Sequence, residues 1–412
     1  MRNPVAVIAD VVAPPRFGRD FRWLLATSVV NNTGDGIVLA AGPLLIASQT
    51  HDPFLVSLAI TFDYLPWLLF GLIGGVAADR FNRRLLVIAA NIVRAIVLVL
   101  LAVTIVTGTV SIAYVLAAIL ALGTAEVFAD SASSTLMPSI VPRDDLAIGN
   151  ARMQGTFITL NNLVGPPIGA FLFAIGMAIP FATNAAAFLL GAVLISRMSS
   201  SVGAITTDRS ERRSFLADLL EGMGWLARHA AMRTLAITIF TFNVTWGAAM
   251  GVLVLYAAQQ LHMDAVGFGL LTTSAAAGGI LAMAFYVRLT RRFSLGNIMR
   301  VGLLIETLTH LVLAATTSPL VAFGIMFLSG AHGFTWGATA NTIRQRAVPN
   351  ELLGRVGGVM RFAGFGGLVI GTPLGGLIAA QFGITGPFWF AFVGSAILVV
   401  VLWRQFAHIA HD

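Results

Sequence analysis

Asp35, Asp63, Arg94, Glu126, Glu306 and His310 each interrupt a long apolar run of this 412-residue sequence. A charge in lipid-like surroundings is costly, so each of them is a functional candidate by default. The chemistry open to a carboxylate there is reversible proton binding, with H+ taken up in one arrangement of its neighbours and given up in another. Asp35 is the first choice for that role, followed by Glu126, Glu306 and Asp63. Arg94 stays charged, so it needs an acid, and Asp35 or Glu126 is the expected partner. Glu306 and His310 lie one helical turn apart on a shared face. Other chemistries find no residues: there is no cysteine, and the patterns H-E-x-x-H and G-x-S-x-G are missing. No catalytic residue and no metal site is therefore expected.

The elements that must hold these groups are apolar helices. With 57% hydrophobic and only 10% charged residues, the chain cannot fold as a water-soluble domain, and the bilayer is its solvent. About 20 apolar residues cross the hydrocarbon core as a helix. Twelve such runs are read at 21–47, 54–78, 85–106, 112–136, 150–174, 177–197, 235–258, 266–289, 296–316, 319–343, 357–381 and 385–406. At 1.5 Å per residue, Asp35 and Glu126 lie about 20 Å into the first and fourth spans and Asp63 about 14 Å into the second.

Charge sets the orientation. The chain has 25 basic residues, all arginine, and 24 of them fall in or beside the same alternate set of gaps; Arg94 is the exception. Arginine is retained on the cytoplasmic side, so both termini are expected inside a multi-pass inner-membrane protein. The net charge of +7 is thus a topology signal, and no soluble basic domain for nucleic acid is expected. The expected organisation is a cytoplasmic arm (1–20), a six-helix bundle (21–197), a cytoplasmic linker (198–234), a second six-helix bundle (235–406) and a tail (407–412). Within the linker, Phe215, Leu216, Leu219, Leu220, Met223 and Leu226 recur at helical spacing, which suggests an amphipathic helix on the inner membrane surface.

The two halves repeat. Gly165-Pro166-Pro167-Ile168-Gly169 matches Gly371-Thr372-Pro373-Leu374-Gly375 at an offset of 206, and Arg80, Arg83 and Arg84 match Arg288, Arg291 and Arg292 at 208. Parallel repeats of six spans imply a pseudo-twofold axis along the membrane normal and a path between the halves.

Gly75-Val76-Ala77-Ala78-Asp79-Arg80-Phe81-Asn82-Arg83-Arg84 resembles the signature loop between the second and third spans of the major facilitator superfamily, with Asn82 in place of the usual glycine. Asn32-Thr33-Gly34-Asp35-Gly36 and Met137-Pro138-Ser139-Ile140-Val141-Pro142 are similar to its branch of macrolide efflux proteins and the enterobactin exporter. The resemblance covers essentially the whole chain and implies an all-α membrane fold of twelve helices in two pseudo-symmetric bundles. In the loop, Asp79 can accept from a helix N-terminus while Arg83 or Arg84 pairs with an acid, for which Asp130 is the candidate, forming a cytoplasmic gate with Gly75 and Arg80. Val287 stands in the place of Asp79 in the second half, so the gate is not duplicated. Gly165, Pro166 and Gly169 resemble the antiporter signature of exporting members, with Asn161 and Ala170 in place of its outer glycines. Plain close packing is the competing explanation of that motif.

No lysine means no G-x-x-x-x-G-K-[ST] phosphate loop, so ATP hydrolysis is excluded. A proton gradient is the expected energy source, favoured over sodium by the resemblance, with no cofactor. The expected function is secondary transport: proton-coupled export of amphipathic small molecules such as drugs, macrolides or siderophores, by a monomer in the bilayer. Asn31, Asn32, Asn91, Asn243 and His310 are candidates to line the substrate path, with interhelical hydrogen bonding as the other role open to them. An importer or metabolite uniporter on the same fold is the alternative, and a transport-inactive receptor or scaffold a remote one.

Overall fold

The computed structural model describes residues 15–199 and 215–408 and is helical, with no strand among the described residues. Among the described residues, eleven helical segments are long and apolar enough to cross a membrane, and a twelfth, Gly386–Leu402, is apolar but shorter. The first four spans are Gly18–Gln49, Pro53–Arg80, Arg83–Val106 and Ile112–Ile140. Large apolar side chains stand exposed along them, as hydrocarbon rather than water requires. The tip of the expected arm, Arg209, Arg212 and Arg213 of the linker, and the end of the tail lie outside the described residues.

Two spans depart from the regular helices read from the sequence. The fifth begins as Leu146–Thr156, opens into a π-helix over Phe157–Val164 and continues as Gly165–Ile175. Neither Pro166 nor Pro167 has an N–H to donate, and the backbone N–H of Gly165 reaches back five residues to the Leu160 carbonyl. The equivalent eleventh span, Leu353–Phe382, has Thr372 in place of the first proline and stays α-helical through Pro373. The seventh span breaks at Gly251 and Val252 between Ala230–Met250 and Leu253–Gln259. A side chain at Gly251 would strike the Thr372 carbonyl of the eleventh span, so close approach fixes that glycine.

The remaining spans are Ile179–Ser196, Ala265–Arg292, Leu295–Ala315 and Pro319–Ala347, the sixth, eighth, ninth and tenth. The chain divides into two compact units, residues 1–49 with 65–207, and residues 50–64 with 208–412. The start of the second span thus groups with the second unit, where the hydroxyls of Thr61 and Thr372 lie 2.7 Å apart.

Glycine packing repeats in the two units. A Cβ at Gly165 would meet the backbone of Gly36, and one at Gly169 the carbonyl of Ile37, so the fifth span lies backbone to backbone on the first. Gly371 and Gly375 stand in the same relation to Val244 and Ala248, placing the eleventh span on the seventh. The repeated glycines serve the close packing that small-residue motifs allow in membranes.

In the linker, Phe215–Arg228 is helical, and the side chains of 215–219 lie outside the described residues. Leu220 and Met223 are exposed on it. Its other side is held by Glu221, whose Oε1 is 2.7 Å from Nη1 of Arg355, and by Gly222, which lies against the Arg355 backbone.

Candidate functional site

The third span carries its buried residues at Val87, Ala90, Asn91, Arg94, Ala95, Leu98 and Leu101, a helical stripe facing its neighbours. Arg94 lies on that stripe and is 3% exposed, so its guanidinium points into protein rather than lipid. Nη2 is 2.5 Å from Oδ1 of Asp35 on the first span and 3.5 Å from Oε2 of Glu126 on the fourth. The sequence left two partners open for Arg94, and the structure brings both to it. Beneath the guanidinium, 3.9 Å away, is the ring centre of Phe188 on the sixth span. Four spans therefore meet at one cation. An arginine here is retained because two carboxylates and an aromatic face replace its hydration.

The asparagines brace this centre. Asn31, one turn before Asp35, donates to Oδ1 of Asn91 at 3.0 Å, joining the first and third spans. Asn91 is fully buried and ties helices together, the second of the two roles that the sequence left open for it. The Asn32 amide bonds the Ser28 carbonyl and hydroxyl, and the Asn243 amide bonds the Ile239 carbonyl, each within its own helix. Asp35 sits beside Gly34 and Gly36, whose missing side chains admit Asn184 of the sixth span and the backbone of the fifth. The antiporter-like glycines thus press the fifth span onto the first one turn or less from the acid.

At the signature loop, Asp79 lies 3.8 Å from Arg83, and Arg83 Nε also donates to the Ala78 carbonyl. Arg84 donates to the carbonyls of Ile195 and Ser196 at the end of the sixth span. Asp130 is not their acid. It follows Glu126 by one turn on the fourth span and is exposed. The departure at Asn82 has a local reason: its side chain caps the third span, accepting from the Leu85 N–H at 3.2 Å. Gly75 has open space around its Cα, whereas Gly74 is packed on Val127 and Ser131.

In the second unit, Glu306 and His310 lie on the buried stripe of the ninth span, and Glu306 Oε1 is 2.9 Å from His310 Nε2. His332 of the tenth span completes the group, with Nε2 3.6 Å from Glu306 Oε2. His310 has no exposed surface and is held by its hydrogen bond to Glu306. Sequence reasoning passed over His332 and Phe188. The first was detectable by the rule that flagged His310, an ionisable residue inside an apolar run; the second was one of many aromatic residues in such runs. Asp63 is half-buried in the part of the second span grouped with the second unit.

A buried cation with acids on two flanking helices, in a chain of apolar spans, is an arrangement that a membrane transporter can use. Residues 11–410 match the family described as "Transmembrane secretion effector", a group within the major facilitator superfamily. The chain belongs to this family. Among relatives of this major facilitator transporter is the "Multidrug efflux pump Tap" of Mycolicibacterium fortuitum, 26% identical over 89% of this chain and 90% of its own length. The "Enterobactin exporter EntS" of Shigella boydii serotype 4 is 24% identical over 88% and 85% of the two chains. The fold is shared with the crystal structure of the nucleoside transporter NupG, with a TM-score of 0.73 and 12% identity over 95% of this chain and 99% of that one. It is also shared with a bacterial homologue of the iron transporter ferroportin, with a TM-score of 0.74 and 16% identity over 94% and 98%. The chain is thus a multi-pass membrane transporter of small molecules and not an enzyme.

Proposed function

We propose that this transporter exports amphipathic small molecules, such as drugs, macrolides or siderophores, in exchange for protons. The observation that carries the reading is the Arg94–Asp35–Glu126 centre, in which one fixed cation faces two acids. A proton arriving on Asp35 weakens its hold on Arg94 and leaves Glu126 as the cation's remaining partner. The centre gains the proton's charge, and the cation's pairing shifts from the first span to the fourth. Such an exchange of partners couples a proton to a rearrangement of helices, the basis of alternating access. Glu126 is the second proton-coupling candidate, with Glu306 and Asp63 after it.

The direction of transport follows the names of the multidrug pump and the enterobactin exporter and the antiporter-like glycines beside Asp35. The reading includes a monomer in the inner membrane with both termini cytoplasmic, driven by the proton gradient with no cofactor. The test is an accumulation and susceptibility panel in a pump-deficient host. Expression should lower accumulation of amphipathic compounds, and an uncoupler or Asp35→Asn should restore it. Accumulation unaffected by either would reject proton-coupled export.

A further inference from the structure

Glu306, His310 and His332 are 1%, 0% and 4% exposed, so three ionisable side chains lie together inside the second unit, shut off from solvent and lipid. Glu306 Oε1 and His310 Nε2 point at each other across 2.9 Å, a hydrogen-bond length that leaves no gap for a larger cation. The other oxygen, Oε2, faces His332 Nε2 at 3.6 Å, just beyond a hydrogen bond. Nδ1 of His310, both ring nitrogens of His332 and Nε1 of Trp336 have no hydrogen-bonding partner. Polar atoms so deeply buried are ordinarily satisfied, so a cluster of unsatisfied ones calls for a local explanation.

An aromatic shelf from the seventh span covers the group. Phe242 stacks on Trp336 at 5.5 Å and lies 5.9 Å from the His332 ring, and Trp246, one turn on, lies 6.1 Å from the His310 ring. Both shelf residues are half-exposed, so they stand between the buried group and whatever passes outside.

We propose that Glu306, His310 and His332 form a second proton-binding centre, with His332 as the added member that receives or passes the proton shared by Glu306 and His310. With both imidazoles neutral and Glu306 ionised the group carries one negative charge. One added proton, held as an imidazolium on His310 beside the ionised Glu306, makes it neutral overall. His332 needs a displacement of under an ångström to hydrogen bond Oε2, so the proton has acceptors on both sides of the carboxylate. The ninth span adds only Arg300, whose Nε donates to the Trp403 carbonyl at 2.7 Å, about 9 Å along the helix from Glu306. The tenth span adds Arg344 and Arg346, about 18 Å or more from His332, and the seventh adds Arg233, about 20 Å from Trp246. The twelfth span carries no ionisable residue, and the side chain of His408 after it lies outside the described residues. From the eighth span, the Tyr286 hydroxyl meets Thr339, two turns beyond His332, and Arg288, Arg291 and Arg292 cluster at the span's end.

The inference extends the proton-coupled reading but is tested without transport. A protonated imidazole quenches a neighbouring indole, so Trp246 reports on His310. The tryptophan emission of the full chain in lipid nanodiscs is titrated with acid and compared with Trp246→Phe to isolate that residue. The expected result is a quenching step with a midpoint between about pH 5 and pH 8. The step is lost in His310→Gln, moves by about one pH unit or more in His332→Gln and in Glu306→Gln, and is unchanged in Asp35→Asn. Should Glu306→Gln fail to fold, the wild-type difference against Trp246→Phe and the His332→Gln shift still decide. A Trp246 signal flat across that range, or a step indifferent to His332→Gln, would overturn the proposal. Failure of proton-coupled export would instead appear as uncoupler-insensitive efflux with this titration intact.

Discussion

The guanidinium of Arg94 lies over the ring of Phe188, 3.9 Å from its centre, so the fixed charge of the first unit is held from the face as well as at its edge. Asp35 and Glu126 take the edge at 2.5 and 3.5 Å. Phe188→Leu should keep the fold and weaken this hold by about 1–2 kcal/mol, the range for a desolvated cation–aromatic contact. Thermal unfolding in detergent reads that loss as a lowered midpoint, while Leu189→Phe, a change at an exposed neighbour, leaves the midpoint in place.

Removing the cation should be worse than removing the pair. Arg94→Met removes the cation from the Asp35 side chain, 19% exposed, at a cost of about 3–5 kcal/mol. Arg94→Met combined with Asp35→Leu should recover most of that stability and none of the pH-driven transport. Thermal midpoints and efflux measured on the same preparations separate the two effects. Recovery of both would show that the pair is structural only.

The glycines of the antiporter-like motif make a steric prediction. Gly169→Val and its counterpart Gly375→Val push a side chain into the carbonyls of Ile37 and Ala248, so both should collapse expression in the membrane fraction. Neighbouring glycines of the signature loop should differ: Gly74→Ala meets Ser131 and Val127 on the fourth span, while Gly75→Ala meets nothing. Equal yields for Gly74→Ala and Gly75→Ala would contradict the packing described here.

Asn82 stands where the signature has glycine and caps the third span. Asn82→Ala should cost about 1 kcal/mol, and Asn82→Asp or Asn82→Ser should restore it. Thermal midpoints of the three variants check this.

The spans were legible because hydrocarbon demands unbroken apolar helices, and the arginine gaps mark their ends. Arg94, Asp35 and Glu126 were legible as a group because a buried arginine has few ways to be satisfied. Phe188 was not, since an aromatic residue in an apolar run reads as filler until its ring is placed under a cation. The π-helix before Gly165 was hidden for another reason: Pro166 and Pro167 announce missing donors, but tertiary packing on Gly36 decides whether the helix kinks or widens. The Arg83 pairing was misread toward Asp130 because the sequence places both toward the same end of adjacent spans, and only coordinates show Asp79 within reach instead.

Purified protein in liposomes, loaded with an amphipathic dye and given a pH jump of either sign, tests the central claim most directly. Dye should move against its own gradient when protons can flow the opposite way, with H+ appearing in step. Asp35→Asn should abolish that pH-driven movement while dye-for-dye exchange continues. Equal transport by wild type and Asp35→Asn, indifferent to the sign of the gradient, would contradict the account.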